Sequence, residues 1–142
     1  MSKVAVVYWS GTGNTEMMAQ KVAEGAKEAG AEVSVLTCAD FSAEDVDAYD
    51  AIAFGCPAMG AEELEDTEFE PMFSACESKL SGKKIALFGS YGWGDGEWMR
   101  NWVKQMQDAG AEVLGGEDAI CCDAPDDEAE EKLVELGKKL AE

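Results

Sequence analysis

The fold is decided by the stretch Val4-Ala5-Val6-Val7-Tyr8-Trp9-Ser10-Gly11-Thr12-Gly13-Asn14-Thr15. Its first half is apolar on both faces, which is typical of a strand buried between two layers of helices. Its second half mixes glycines with hydroxyl and amide side chains, and a segment of helical period follows. We therefore predict a central strand, a glycine loop, and a helix that Asn14 or Thr15 caps and that ends near Ala29, with Gly30 as its stop. The apolar stripe of this helix is predicted to be Met18, Val22 and Ala26.

The alternation of strand and helix continues along the chain. Because parallel neighbours need crossover connections, this alternation predicts one α/β domain with a mostly parallel sheet of five strands and helices on both faces. The other predicted strands are Glu32–Thr37, Ala51–Gly55, Lys84–Gly89 and one within Val113–Cys122, interrupted at Gly115-Gly116. The other predicted helices are Phe69–Lys79, Glu97–Ala109 and Glu128–Ala141.

Charge excludes several classes of function. The 142 residues include 30 acidic and 11 basic side chains, a formal charge of −19, and no histidine. A protein this acidic is repelled by nucleic acid and by anionic membranes, so a macromolecular partner should present a basic surface. The absence of histidine also excludes Ser-His-Asp triads and HExxH metalloproteases.

The sequence also predicts the cellular compartment. The longest apolar run, Val4–Trp9, is too short for a signal peptide or a membrane span. The five cysteines contain no CxxC pair, so we expect reduced, mostly buried thiols in a cytoplasmic protein. A strained disulfide between Cys121 and Cys122 is the alternative for that pair.

Ligands of open parallel sheets bind at the carboxyl ends of the strands. After the first strand, residues 10–15 offer backbone N–H groups, hydroxyls and a helix N-terminus, which suit a phosphate. The loop lacks the lysine of a P-loop, so a phosphate monoester fits better than a metal-bound triphosphate. A plain strand-to-helix turn is the alternative.

Two further loops suit a flat aromatic ligand. Trp93 lies between glycines after the fourth strand, and Met59 follows the third strand, so the two side chains can sandwich a ring. Glu62 can accept a hydrogen bond from that ring. With the phosphate loop, these features describe bound FMN. Trp98 and Trp102 have helical spacing and are expected to be packing residues.

Four segments, 8–16, 55–60, 68–71 and 82–94, resemble the short-chain flavodoxins, and the resemblance spans nearly the whole chain. It implies a single FMN-binding domain, residues 1–142, with the flavodoxin-like three-layer α/β/α fold and strand order 2-1-3-4-5. It further implies a monomeric, low-potential one-electron carrier that binds FMN non-covalently and uses the semiquinone/hydroquinone couple. Such a protein has no catalytic residues, no metal and no substrate turnover of its own.

The resemblance also implies a set of cofactor-binding residues. Residues 10–15 would hold the phosphate, Met59 and Trp93 would flank the ring, and Glu62 would accept a hydrogen bond from flavin N3. The whole predicted set is Ser10, Gly11, Thr12, Gly13, Asn14, Thr15, Pro57, Ala58, Met59, Gly60, Ala61, Glu62, Ser90, Tyr91, Gly92, Trp93, Gly94 and Asp123. The contact of Asp123 stays open, because relatives carry other polar residues there.

Two other functions are found on the same or a related topology. An FMN-dependent NAD(P)H:quinone-type reductase needs room for a nicotinamide, and the short loops offer no obvious second site. A response-regulator receiver needs a phosphoacceptor Asp after the third strand, where Cys56-Pro57 stands. Acidic clusters at 62–70 and 123–131 favour a carrier whose redox partner proteins dock through basic surfaces.

Overall fold

The computed structural model describes residues 3–9, 13–57, 68–91, 97–114, 119–122 and 125–141. The strands are β1 (Lys3–Tyr8), β2 (Glu32–Thr37), β3 (Ala51–Gly55), β4 (Lys84–Tyr91), β5 (Glu112–Leu114) and β6 (Ile120–Cys122). The α-helices are α1 (Asn14–Glu28), α2 (Phe69–Glu77), α3 (Glu97–Asp108) and α4 (Asp127–Leu140). Two short 3-10 helices, Cys38–Asp40 and Ala43–Ala48, connect β2 to β3.

The sheet has the predicted order. Neighbouring strands run β2-β1-β3-β4-β5, all pairings are parallel, and β6 pairs with β4 beyond the point where β5 ends. Thus β5 and β6 are two parts of one edge strand, with residues 115–118 between them. The predicted five-stranded parallel sheet of order 2-1-3-4-5 is confirmed.

Strand alternation gives the sheet a core on each face. On one face, Ile52, Phe54 and Leu87 pack under α2 and α3, where Trp98 and Trp102 are also buried. The rings of Phe73 and Trp102 meet edge to face, with centroids 5.4 Å apart. The prediction that both tryptophans pack in the core is confirmed.

The other face is covered by α1 and α4. The predicted stripe of Met18, Val22 and Ala26 is fully buried there against Val4 and Val6. Gly30, with φ of 93°, ends α1 as predicted. The other helix ends lie within two residues of their predicted positions. Among the described residues, none of the helices combines the length and the hydrophobicity that a membrane-spanning helix needs.

The connection between β2 and β3 was not predicted in any detail. It has no α-helix in the structure, and its two 3-10 helices bring Phe41 and Val46 into the core, each at most 4 % exposed. Ser42 and Asp45 form a capping box that begins the second 3-10 helix. Short polar segments with isolated apolar residues carry too little periodicity to predict such a connection.

Most described cysteines are buried thiols, as predicted. Cys38, Cys56 and Cys76 are buried, and Cys121 is half-buried with its Sγ 3.6 Å from Met18 Sδ. Burial raises the pKa of the Cys76 thiol to about 11, with a smaller contribution from the negative charge of Asp45. That side chain is therefore protonated at neutral pH.

Helices α1 and α4 cross at two glycines. A Cβ on Gly25 would lie 1.9 Å from Val134 O, and a Cβ on Gly137 would lie 2.0 Å from Val22 O. Both partners are backbone atoms, which cannot move aside as a flexible side chain can. The absence of a side chain at both positions is therefore what lets the helices approach closely.

We predict that Gly137→Ala lowers the free energy of unfolding by about 1–3 kcal/mol, because forcing a methyl group between packed helices strains both backbones. Alanine favours a helix over glycine by about 1 kcal/mol, so helix propensity alone predicts the opposite sign. Urea unfolding of the apoprotein measures the change. Glu131→Ala, on the exposed side of α4, is the control and should leave stability within about 0.5 kcal/mol. A Gly137→Ala protein as stable as the original would contradict the close crossing.

Candidate functional site

The carboxyl ends of the central strands form one edge of the sheet. Tyr8 pairs with Gly55, Gly55 pairs with Phe88, and Tyr91 pairs with Cys122. Three connections leave this edge, between β1 and α1, between β3 and α2 and between β4 and α3, and they include residues 10–12, 58–67 and 92–96 respectively. The order of the strands therefore brings the ends of the three predicted binding loops together.

Part of the predicted site is described. The structure places Gly13, Asn14, Thr15, Pro57, Ser90 and Tyr91 at this edge. The predicted site residues that lie outside the described residues are Ser10, Gly11, Thr12, Ala58, Met59, Gly60, Ala61, Glu62, Gly92, Trp93, Gly94 and Asp123.

The N-terminus of α1 corrects one prediction. The N-cap is Gly13, in the left-handed conformation with φ of 97°, and not Asn14 or Thr15, which are the first two residues of the helix. The backbone needs a positive φ here, which glycine adopts without strain. Gly13 O accepts the hydrogen bond from Met17 N at 3.0 Å.

A glycine cap leaves the helix N-terminus suited to an anion. Gly13 has no side chain that could accept from the first-turn N–H groups, as a serine or aspartate cap would. No described atom lies within 4 Å of the position a Cβ would take on Gly13. The partial positive charge at this end favours a negative ligand by about 0.3–1 kcal/mol for an exposed charge. The described part of the loop thus fits a phosphate group.

A pair of buried hydroxyls lies beside this N-terminus. Thr15 Oγ1 and Ser90 Oγ are 3.4 Å apart, and the two residues are 1 % and 5 % exposed. If Ser90 donates, the Thr15 O–H is available to a ligand while its oxygen stays partnered. The pair joins the first turn of α1 to the end of β4. Thr15 and Ser90 were both predicted site residues, and the structure brings them together.

A side chain of α3 binds the backbone just before residues 58–67. Trp98 Nε1 donates to Cys56 O at 3.2 Å in a buried bond. Gly89 permits this packing, because a Cβ there would lie 2.1 Å from Cys56 O and 3.3 Å from Trp98 Cζ2. The Tyr91 ring packs against Trp98 with centroids 5.5 Å apart. Trp98 therefore positions the backbone at the sheet edge as well as filling the core.

The residue just after β1 binds the residue that follows 58–67. Trp9 Nε1 donates to Glu68 Oε1 at 3.3 Å, across 59 residues of sequence. The backbone of Trp9 also donates to Gly55 O at 3.0 Å, which extends the pairing of β1 with β3 by one residue. The indole of Trp9 is half-buried, and Glu68 is exposed. This bond joins the residue before the 10–12 connection to the residue after 58–67.

Sequence reasoning did not predict the roles of Trp9, Glu68, Gly89 and the Trp98 indole N–H. Trp9, Glu68 and Gly89 lie in the motifs that carry the family resemblance, and that position was the available signal; Trp98 lies four residues beyond the last motif. Their roles depend on contacts between residues far apart in the chain. Periodicity and local motifs do not report such contacts.

Tyr8 and Glu16 form a polar contact next to the helix N-terminus. The pKa of Tyr8 is raised above its ordinary value of 10.0, mainly by burial and further by the negative charge of Glu16 and a hydrogen bond with it. Glu16 lies in the first turn of α1. Its carboxylate therefore adds to the effect of burial and makes the phenol harder to ionise in alkaline solution.

Substitution of Glu16 should change this titration. We predict that Glu16→Gln lowers the pKa of Tyr8 but leaves it above 10.0, since burial is the larger cause. Because the pKa of Tyr8 is higher in the folded than in the unfolded protein, it stabilises the fold below pH 10. That contribution is lost as pH rises through the folded-state pKa. The Glu16→Gln protein should therefore lose less stability at high pH than the original protein does. NMR titration of the tyrosine ring carbons measures the pKa. Glu28→Gln, at the other end of α1, is the control; equal shifts in both variants would rule out the local contact.

Comparison with known sequences shows relatives over the full length of the chain. The sequence profile of the flavodoxin family matches residues 6–137. The flavodoxin of Megasphaera elsdenii is 51 % identical over 138 residues, which is 97 % of this chain and 98 % of that protein. The flavodoxin of Clostridium beijerinckii is 46 % identical over 136 residues, 96 % of this chain and 97 % of that protein.

Solved structures agree with the sequences. The solution structure of two-electron reduced Megasphaera elsdenii flavodoxin superposes with a TM-score of 0.86 and 46 % identity, covering 97 % of this chain and 98 % of that one. An archaeal flavodoxin superposes with a TM-score of 0.85 and 27 % identity, covering 98 % and 96 %. The strand order, the full-length matches and the fit of the α1 N-terminus to a phosphate lead to one conclusion: the chain belongs to the flavodoxin family and is an FMN-binding electron carrier.

Proposed function

We propose that FMN binds across the carboxyl edge of β1, β3 and β4, with its phosphate at the N-terminus of α1. The observation that carries this proposal is the glycine-capped helix start beside the buried Thr15–Ser90 hydroxyl pair. Hydroxyls and backbone N–H groups are neutral donors, and charge-assisted hydrogen bonds from such donors suit a phosphate monoester. The phosphate residues are Ser10, Gly11, Thr12, Gly13, Asn14 and Thr15.

We propose the ring-binding residues from the motifs and from the strand ends that carry them. Met59 and Trp93 flank the ring, and Glu62 accepts from flavin N3. Pro57, Ala58, Gly60, Ala61, Ser90, Tyr91, Gly92 and Gly94 contact the ring or the ribityl chain. Asp123 is proposed as a further contact on its position alone. Tyr91, which ends β4, and Pro57, two residues after the end of β3, lie at the carboxyl edge and support this placement.

The bound FMN supplies the electron chemistry, and the protein sets its electrostatic environment. The chain carries a formal charge of −19. Among described residues at the binding edge, Glu16, Glu68 and Glu97 begin or precede helices. Negative charge already present at the edge disfavours further negative charge on the cofactor. We therefore propose that the carrier works at low potential.

The charges are distributed unevenly between the two edges of the sheet. At the carboxyl edge, Asp126, Asp127, Glu128 and Glu130 precede or begin α4, while Arg100 is a cation in the first turn of α3. The amino edge carries charges of both signs, because carboxylates such as Asp50 and Glu112 lie among its lysines. Lysines concentrate at this edge and at the helix ends beside it: Lys3, Lys27, Lys79, Lys83, Lys84, Lys138 and Lys139. This asymmetry supports redox partner proteins that dock with basic surfaces.

The remaining proposals concern the state of the protein. One domain over 1–142 is supported by a sheet and cores that involve residues from Val4 to Leu140. A monomer is supported because Met17 is the one large hydrophobic side chain exposed among the described residues. A cytoplasmic location is supported by the reduced thiols.

A quinone-type reductase is the alternative function. The relatives are named flavodoxin and do not favour it.

We predict that Thr15→Val raises the Kd for FMN about 10- to 150-fold, since a hydrogen bond to a charged group contributes about 1.5–3 kcal/mol. Riboflavin lacks the phosphate and should bind the variant nearly as well as the original protein. Quenching of flavin fluorescence on titration into apoprotein measures both constants. Thr37→Val, at the exposed end of β2, is the matched control.

The same preparation tests the alternative function. FMN-loaded protein should keep its visible absorption when NADH is added without another protein. Rapid bleaching by NADH would identify a reductase. Failure of the original protein to bind FMN at all would refute the proposed site.

We predict that Asp127→Asn slows reduction of a basic haem electron-transfer protein about two- to fivefold at low salt, since one charge contributes up to about 1 kcal/mol at close approach in water. Glu112→Gln makes the same charge change at the amino edge and should have a smaller effect. Stopped-flow absorbance measures the rates. The difference should disappear at about 1 M ionic strength, where the Debye length is about 3 Å. Rates independent of salt would exclude steering by the acidic edge.

A further inference from the structure

Three side-chain hydrogen bonds at the binding edge follow one pattern. Each joins residues that flank two different connections. Trp9, before 10–12, donates to Glu68, which follows 58–67. Trp98, just after 92–96, donates to Cys56 O, before 58–67. We refer to these bonds, together with the Thr15–Ser90 pair, as the braces.

The braces form a closed circuit. Thr15 lies after the 10–12 connection and Ser90 lies before 92–96. Each connection is therefore flanked on both sides by residues that bond to the flanks of the other two. If one of the three braces were missing, two of the connections would each have a hydrogen bond on one side only. In the circuit, the end of β1, the end of β3 and the end of β4 are fixed relative to one another by side chains as well as by the sheet.

The three braces differ in their burial and in the type of group that accepts the hydrogen bond. The Trp9–Glu68 bond is at the surface and has a charged acceptor, the Trp98–Cys56 bond is buried with a backbone acceptor, and the Thr15–Ser90 pair is a buried hydroxyl contact. The three share no residue. The Trp9–Glu68 brace is the one that can be removed without opening the core, because Glu68 is exposed.

We propose that Glu68 and Trp9 are positioning residues of the FMN site: their hydrogen bond sets the spacing between the phosphate-binding and the ring-binding segments. The proposal rests on the FMN site described above. A ligand that engages both segments requires their relative position to be correct, whereas a ligand that engages only the ring-binding segments does not. Loss of the brace should therefore weaken FMN binding more than riboflavin binding.

Charge alone predicts the opposite sign. Glu68 lies against Trp9, the residue before the proposed phosphate segment, so removing its negative charge would reduce repulsion of the phosphate and tighten FMN binding relative to riboflavin. A brace predicts that Glu68→Ala weakens FMN binding. Glu68→Gln separates the two effects, because it removes the charge and keeps a carbonyl oxygen that can accept from the Trp9 indole.

The experiment measures the Kd of FMN and of riboflavin for apoprotein by flavin fluorescence. The quantity compared is the riboflavin Kd divided by the FMN Kd. We expect Glu68→Ala and Trp9→Phe each to lower this ratio about three- to tenfold, the effect of one hydrogen bond. The double variant should lose no more than the larger single loss, because both changes remove the same bond. Glu68→Gln should keep or raise the ratio.

Glu70→Ala is the matched control. It removes the same charge two residues along, in the first turn of α2, where Glu70 accepts from Ser74 Oγ at 2.6 Å. It should leave the ratio unchanged or raised. A ratio that Glu68→Ala leaves unchanged or raises, or losses that multiply in the double variant, would overturn the brace. An original protein that binds FMN no more tightly than riboflavin would instead overturn the phosphate site, and the brace with it.

Discussion

Everything at the binding edge depends on the parallel pairing of β1 with β2 on one side and β3 on the other. Tyr8 pairs with Thr37 and with Gly55 in the same register, and α1, which follows β1, covers one face of the sheet while α2, which follows β3, covers the other. A crevice opens at such a point, and open α/β sheets bind their ligands there. The backbone hydrogen bonds of β1 thus place the glycine loop, and through it the N-terminus of α1, at the centre of the edge.

Around that centre, uncharged hydrogen-bond donors are surrounded by negatively charged side chains. The groups placed to meet a phosphate are backbone N–H groups and hydroxyls, while carboxylates lie on the first turns of the helices around them. Neutral donors bind an anion without cancelling the acidic field of the surroundings. In the proposed function, the same residues hold FMN and leave the edge negative, which links the proposed cofactor site to the proposed low potential and the proposed basic partners.

The fold was largely predictable because its signals are local. Buried strands read as apolar runs, Gly30 ends α1 as expected, and Trp98 and Trp102 were correctly assigned to the core. The cap of α1 was predicted wrongly, because Asn14 and Thr15 are good capping residues by type while the need for a positive φ at Gly13 is a property of the folded turn.

The sequence motifs predicted individual site residues, but they did not predict contacts between residues of different motifs. Thr15 and Ser90 were both named from the sequence, but their contact spans 75 residues. The role of Glu68 depends on Trp9 in the same way, and the close crossing of α1 and α4 depends on Gly25 meeting Val134 across the helix interface. Such pairings follow from the assembled sheet and not from any single segment.

The most direct test of the central claim is a map of backbone amide chemical shifts in the apoprotein as FMN is added. We expect large changes at Gly13, Asn14 and Thr15 and at Ser90 and Tyr91, with little change at Lys3, Lys84 and Glu112 on the opposite edge. Large changes at the amino edge, with Gly13–Thr15 unaffected, would contradict the central claim.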